Sequence, residues 1–501
     1  MKAHLMFRDQ DFDAAQTLPP QKEALVQDLE LATLFAAMSL DDPWLPTIVR
    51  TAVLASTVDS GTILYRQEIL KDCLRAEAVV RQIYQLAGDS LERERKDFWG
   101  RDTHSPSILL HRSVRLMEMF VDVLRQLRMI VDQHSNAFVS EGFGDLFTML
   151  QHELADDYFV ILSEHLKRLQ FRHGLLISAR LGEGNKGRNY ILRKEPRFKR
   201  NWLMRLIEPP PPGYSYELPD RDESGAQALS ELRDKGLNLV GNALAQSVDH
   251  VASFFKMLRT ELAFYVGCLN LNARLREKGA TVCFPVPEPP AAKKYSAAGL
   301  YNACLALQAE HAVVSNDVSA DGRELVIITG ANQGGKSVLL RSIGLSMLMM
   351  QCGMFVAASS FEASVCQRLF THFKREEDAA MNSGKFDEEL SRMSGIIDEL
   401  KPHSFVLFNE SFASTNEREG SEVARQIVAA LMKQDIRVFF VTHQYEFARG
   451  FEVQHLPTVL FLRAERREDG ERTFRLRPGP PLATSYGEDI YKRIFAGIES
   501  G

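Results

Sequence analysis

The sequence predicts an α plus α/β chain: a helical core and lever portion with a basic segment inserted in it, then a domain built on a parallel sheet. Three observations predict it. Residues 21–170 carry apolar side chains at helical spacing, as in ILLHRSVRLMEMFVDVLRQLRMIV (108–131). Within 241–277, Leu244, Val248, Val251, Phe255, Leu258, Leu262, Tyr265 and Leu269 recur at alternating steps of four and three, a coiled-coil-like stripe. From about Gly299 the texture changes to short apolar runs, LVIIT (325–329), SFVLF (404–408), VFFVT (438–442) and TVLFL (458–462), separated by helical stretches such as 337–351 and 420–434. Uninterrupted apolar strands between helices belong to a largely parallel sheet covered on both faces.

The elements divide the chain into four parts. Residues 1–166 form a helical core. Residues 167–240 hold the basic insertion and a proline-rich linker, where EPPPPG (208–213) reads as an extended break. Residues 241–298 hold the long helix, of roughly 30 residues and about 45 Å, and a connector whose FPVPEPP (284–290) reads as a second break between folded parts. Residues 299–501 form the α/β domain. A chain of 501 residues has room for such a division.

Composition excludes several classes. With 45% hydrophobic and 25% charged residues the chain is of ordinary globular make-up. A net charge of −6 gives no global sign of nucleic-acid binding, so any basic surface is local. One exists at 167–205, where Lys167, Arg168, Arg172, Arg180, Lys186, Arg188, Arg193, Lys194, Arg197, Lys199, Arg200 and Arg205 face only Glu183 and Glu195. That excess can neutralise several phosphates; the alternative is a solvated face answering acidic patches elsewhere. Lys186, Arg188, Arg193, Lys194, Arg197, Lys199 and Arg200 are the candidate DNA contacts, around a glycine turn that leads into a short strand (182–194). The six cysteines form no C-x-x-C pair and suit reduced thiols. The N-terminus has charges where a signal peptide needs an apolar core. The longest apolar stretch, 345–358, is broken by Ser346, Gln351 and Gly353. A soluble, cytoplasmic protein without a membrane partner is expected.

Three segments carry chemistry. TGANQGGKSVLL (329–340) follows the strand LVIIT and opens a helix, fitting G-x-x-x-x-G-K-[ST]. Its glycines let backbone N–H groups curl around phosphates at the positive end of the helix. Gly330, Asn332, Gly334, Gly335, Lys336, Ser337 and Val338 are therefore candidate ATP contacts, with Lys336 for the β- and γ-phosphates and Ser337 for Mg²⁺. FNESF (408–412) closes a buried strand, where the last residue can hold the metal through water and a following Glu can polarise the attacking water. Asn409 takes the first position as a neutral metal-site candidate, and Glu410 the second. In VFFVTHQYEF (438–447), His443 follows another buried strand and can sense the γ-phosphate.

Together these residues resemble the MutS family of DNA mismatch-repair ATPases. TGANQGGKS is similar to that family's TGPNMGGKS, with GMFVAA (353–358) at the family's distance, and VSNDV (314–318) resembles its VPNDI. FNESFASTNEREG (408–420) resembles DEIGRGTSTxDG, VTHQYEF (441–447) resembles ATHYxEL, and LATSYGEDIYKRIFAG (482–497) resembles the family's SYG segment. DLELATLFAAM (28–38) and STVDSGTILYRQEILKDCL (56–74) resemble its lever-bearing core. The resemblance implies an ABC-type P-loop ATPase domain using ATP and Mg²⁺, and a homodimer with composite ATP sites. It also implies DNA, duplex or branched, held by a clamp where 167–205 is inserted. Four departures stand beside it. The core-like region begins near residue 28, leaving no room for a mismatch-reading domain, and no Phe-x-Glu wedge occurs in the first 300 residues. The family's Asp is Asn409 here. Its glycine and threonine-serine loop is altered to ASTNE (413–417), and Ser383–Phe386 only loosely matches the segment that contacts the partner's nucleotide. The expected function is ATP-dependent DNA binding with slow hydrolysis, in repair or recombination. A nucleotide-binding switch without significant hydrolysis, governing a protein–protein interface, is the alternative.

Overall fold

The structure, a computed structural model, describes residues 1–98, 105–171, 174–185, 187–193, 217–219, 221–375, 384–467 and 471–482. The elements in order are α1 (Lys22–Asp28), α2 (Leu31–Ser39), α3 (Leu45–Leu54), α4 (Ser60–Arg75), α5 (Glu77–Phe98), α6 (Pro106–His134), α7 (Glu141–Glu153) and α8 (Asp156–Leu169). A hairpin of β1 (Ile177–Leu181) and β2 (Gly187–Leu192) leads to α9 (Glu223–Glu277). Then come β3 (Val286–Glu288), β4 (Tyr295–Leu300), α10 (Ala303–Gln308), β5 (Asn316–Ser319), β6 (Leu325–Gly330), α11 (Lys336–Gln351), β7 (Ser360–Ser364) and β8 (Leu369–Phe373). The chain continues through α12 (Lys385–Glu399), β9 (Phe405–Asn409), α13 (Glu417–Lys433), β10 (Arg437–Val441), α14 (Tyr445–Glu452), β11 (Val459–Arg466) and β12 (Arg472–Pro478). Among the described residues no helix is long and apolar enough to cross a membrane.

The chain forms two compact units: residues 1–3, 81–136 and 145–259 in one, and 4–80, 137–144 and 260–501 in the other. The first is helical apart from the hairpin. Its α6 starts with Pro106 in the first turn, where the missing N–H is no loss, and Phe120 of α6 stacks on Phe255 of α9 at 5.8 Å. The hairpin is antiparallel, with Ile177 opposite Leu192 and Leu181 opposite Gly187. Gly184 takes φ 66° in its turn. Leu192, Leu169 and Leu175 pack on a small cluster of Leu110, Val114 and Leu237.

In the second unit a six-stranded sheet runs in the order β12-β11-β6-β10-β9-β8. All its pairings are parallel except that of β12. The expected runs are its strands, and every residue of β6 is buried. Val406, Phe408, Val438 and Phe440 face one side, packed with Val428, Phe447 and Met393 of the helices α13, α14 and α12. Alternate residues face the other: Phe405 and Phe439 meet Tyr295 of β4. A Cβ on Gly344 of α11 would lie 2.8 Å from Leu407. Apolar area covered on both faces stabilises the layer at about 25 cal/mol per Å².

Two expectations change. The long helix has 55 residues and begins at Glu223, inside the segment read as insertion and linker. Asp222 starts it by accepting from the Gly225 N–H at 2.8 Å, an N-terminal cap. Beyond the cap, Gly225 and Gly236 and exposed Leu229, Leu232 and Leu239 blur the stripe, which is why periodicity finds only the later part. Val248, Val251, Phe255, Leu258, Leu262, Tyr265 and Leu269 are buried as expected. FPVPEPP is no break between folded parts. It contains β3, which pairs parallel to β7 at the rim of a four-stranded sheet, β3-β7-β4-β5, and an edge strand is where proline's missing donor does least harm.

Candidate functional site

The loop between β6 and α11 is shaped by glycines. Gly335 sits at φ 86°, a left-handed conformation that side chains resist. A Cβ on Gly334 would lie 2.7 Å from Ala464 Cβ and 2.9 Å from the Ala331 carbonyl. No side chain caps the N-terminus of α11, so its positive end is open to an anion. Lys336, the first residue of that helix, folds back so that Nζ donates to the carbonyls of Gly330 at 3.0 Å and Ala331 at 2.9 Å. Burial pulls its ammonium down to about 8, with the Glu410 carboxylate opposing the shift. Ser337 donates from Oγ to Asn409 Oδ1 at 2.9 Å, tying the helix to the end of β9.

Parallel register brings the other two residues together. Val441 of β10 lies opposite Asn409 of β9, so the chain leaves both strands side by side. Glu410 takes φ 55° and its N–H donates to the Val441 carbonyl at 2.9 Å. Its carboxylate lies 2.7 Å from His443 Nε2. The His443 hydrogen bond holds the Glu410 carboxyl below the usual carboxylate range, and the His443, Lys336 and Lys374 charges add to it.

Asn332, Gly334, Gly335, Lys336, Ser337, Val338, Glu410 and His443 border one cleft of about 810 Å³, within the size range of small-molecule sites. Gly330 and Asn409 stand behind it, as the lysine's acceptor and the serine's partner. Sequence reading gave no place in the cleft to its other lining residues, Leu305, residues 309–314, Asn316 and Phe474. Asn316, in VSNDV, is the one with a signal. It donates to the Phe474 carbonyl at 3.1 Å and accepts from the Leu476 N–H at 2.7 Å, locking β12 beside the cleft. Arg472 of the same strand donates to the Asn332 carbonyl at 3.2 Å. Phe474 has no local signature.

Of the basic candidates, Arg188 and Arg193 lie on or beside the hairpin. Lys186, Lys194, Arg197, Lys199 and Arg200 lie outside the described residues, as does the SYG segment from residue 483. Arg188 is the cross-strand partner of Arg180, a like-charge pair that disfavours the hairpin unless an anion answers it. Arg193 donates to Ser178 Oγ at 2.8 Å.

Residues 58–278 match the family model described as the MutS2 N-terminal domain, and residues 326–492 match MutS domain V. The DNA mismatch repair protein MutS of Porphyromonas gingivalis is 33% identical over 191 residues, 37% of this chain and 21% of that protein. Endonuclease MutS2 of Thermus thermophilus is 31% identical over 186 residues, 36% of this chain and 24% of that protein. The human MutS protein homolog 4 is 24% identical over 290 residues, 54% of this chain and 29% of that protein. The matches thus span less than a third of each of these relatives. Two models of one lineage, falling in order along the sequence and joined by these relatives, mean that the chain belongs to the MutS family.

Proposed function

We propose that the chain is a Mg²⁺-dependent ATPase that couples ATP binding and slow hydrolysis to holding DNA, within a repair or recombination process. The carrying observation is the meeting of three elements at one cleft: the glycine loop with Lys336, Ser337 bonded to Asn409, and Glu410 paired with His443. The open N-terminus of α11 receives phosphate oxygens, and Lys336 exchanges its two carbonyl partners for the β- and γ-phosphates. That exchange gives the ammonium, whose charge burial disfavours, an anionic partner.

The donor set fits Mg²⁺. Ser337 Oγ and Asn409 Oδ1 are both oxygens, the ligands a hard cation takes. Among the described residues no three His, Cys, Asp or Glu side chains gather to hold a metal, so such an ion would be held jointly with phosphates and water. When bound, it neutralises charge on the phosphate oxygens. Glu410 orients the attacking water and accepts its proton, and His443 keeps that carboxylate ionised and aimed. The Arg180–Arg188 pair of the hairpin supports contact with DNA phosphates there. Two copies completing each other's ATP sites belong to the same reading.

Asn409 favours a second reading, a nucleotide switch without significant turnover, because one negative charge is missing beside the metal position. ATP turnover measured alone and with duplex, branched and mismatched DNA separates the two. Slow Mg²⁺-dependent hydrolysis that disappears in Lys336→Ala is expected. Tight ATP binding with no turnover at any Mg²⁺ or DNA concentration leaves the switch.

A further inference from the structure

The turn that carries Glu410 is held in a costly shape. Glu410 and Phe412 both lie at positive φ, 55° and 62°, where a side chain crowds its own backbone and the conformation survives only if its surroundings fix it. On one side Gln444 Nε2 donates to the Phe412 carbonyl at 3.0 Å. A Cβ at Gly420 would stand 2.2 Å from that same oxygen, so α13 can approach only with glycine there.

His372, on β8, grips the turn from the other side. Its ring stacks on Phe412 with centroids 5.2 Å apart and planes 17° from parallel. Nδ1 lies 2.8 Å from Ser411 Oγ, and that hydroxyl also reaches the His372 carbonyl. Nε2 lies 3.0 Å from the Glu389 carbonyl of α12. A carbonyl only accepts, so Nε2 carries the hydrogen and donates to it, leaving Nδ1 as an acceptor that shares the single Ser411 hydroxyl proton with the His372 carbonyl. The ring is buried and does not border the cleft. One imidazole therefore joins a third strand, a helix and both residues that follow Glu410.

We infer that His372 is a positioning residue for the reaction proposed above: it fixes the turn so that the Glu410 carboxylate is aimed at the attacking water. The inference rests on the ATPase reading. Phosphate binding depends on the loop before α11, which His372 does not touch. Removing the imidazole therefore slows cleavage and leaves affinity alone, whereas a merely structural loss weakens both.

The test compares ATP affinity, single-turnover cleavage and melting temperature in His372→Phe, His372→Gln and Ser411→Ala, with Glu410→Gln as the reference. Phe keeps the stacking and loses both hydrogen bonds. It should slow cleavage by about tenfold to a hundredfold, the usual effect of a misplaced catalytic group. The ATP dissociation constant should stay within about twofold of wild type. Gln, which retains a donor and an acceptor, should recover part of the rate, and Ser411→Ala should lose part of it. Wild-type cleavage in a folded His372→Phe protein, or affinity falling in step with rate, overturns the inference while the ATPase reading stands. If His372→Phe does not fold, Ser411→Ala decides on the same two criteria. If Glu410→Gln cleaves as fast as wild type, Glu410 has no role to position and the inference falls alone; if the wild type cleaves no ATP, the ATPase reading falls and takes the inference with it.

Discussion

Glu410 at the end of β9 and Glu261 in α9 are carboxylates drawn away from water in the same compact unit, and their surroundings treat them in opposite ways. Glu261 is fully buried. It accepts from the N–H groups of Leu5, of Met6 at 3.3 Å and of Phe12 at 3.0 Å, and so fastens the N-terminal segment to the helix. Burial outweighs those bonds and pushes its carboxyl up to about 7. Nearby Arg66 is occupied elsewhere, donating to the Met6 carbonyl at 2.8 Å and the Cys352 carbonyl at 3.2 Å. Glu410 instead borders a cleft, pairs with His443 and has Lys336 and Lys374 in range, and its carboxyl is pulled down. Burial alone makes a structural acid that prefers its proton. Burial beside cations, open to a cleft, makes an ionised group ready to act.

The largest expected effect breaks the Glu410 side of this comparison. Glu410→Gln should lower ATP turnover by about a hundredfold to ten-thousandfold, the range of general-base removal. ATP stays bound and the melting temperature moves little; chase experiments on trapped nucleotide and a thermal melt check it. Turnover within a few-fold of wild type would remove Glu410 from the chemistry.

The next effect concerns Glu261. Its folded value of about 7 lies above the ordinary 4.5. Between those values the folded chain holds a proton that the unfolded chain has released. That contribution is fully present below about 4.5 and is lost as pH rises through 7, worth roughly 3 kcal/mol across the window. Denaturant unfolding at pH 5 and pH 8 should show this loss in the wild type and not in Glu261→Gln. Glu410 has the opposite sign: with its value lowered, its pairing stabilises above the ordinary carboxylate range and is lost as pH falls through the folded value.

Exposed cations sharpen the contrast, because water already screens them. Arg188→Ala with Arg193→Ala should weaken binding of every duplex alike, by about tenfold at low salt, and reduce the salt slope by about two. Fluorescence anisotropy across a salt series reads both. An unchanged slope would make the hairpin a solvated face.

The smallest effect belongs to Asn409→Asp. A carboxylate added beside the metal position brings Coulomb attraction, much of it offset by the cost of its own desolvation. The Mg²⁺ concentration for half-maximal turnover should fall about threefold to tenfold, on the order of 1 kcal/mol. A protein silent in the wild type and active as Asn409→Asp would establish the switch reading.

Much of the site was legible because its signals are local. LVIIT and SFVLF are continuous apolar runs, and both are strands with buried interiors. Lys336 and Ser337 sit at fixed offsets from glycines that a turn requires, and Glu410 and His443 each follow a strand end. His372, Gln444 and Phe474 gave no such sign. Each matters through a contact with a residue 32 to 158 positions away, and no window of sequence holds both partners. The start of α9 was hidden for a related reason, since its first turns lack the packing that writes an apolar stripe.

The sequence by itself determined the apolar strands LVIIT, SFVLF, VFFVT and TVLFL, the later part of the long helix, and which residues could meet a phosphate, because periodicity, glycine conformation and charge act within a few residues. Only the tertiary structure decided that residues 4–80 join 260–501 in one compact unit. It alone set Glu410 against His443 and brought Leu305, Asn316 and Phe474 to the cleft. Those outcomes depend on strand order and register, which are settled by the burial of whole faces against one another and not by any one segment's preference.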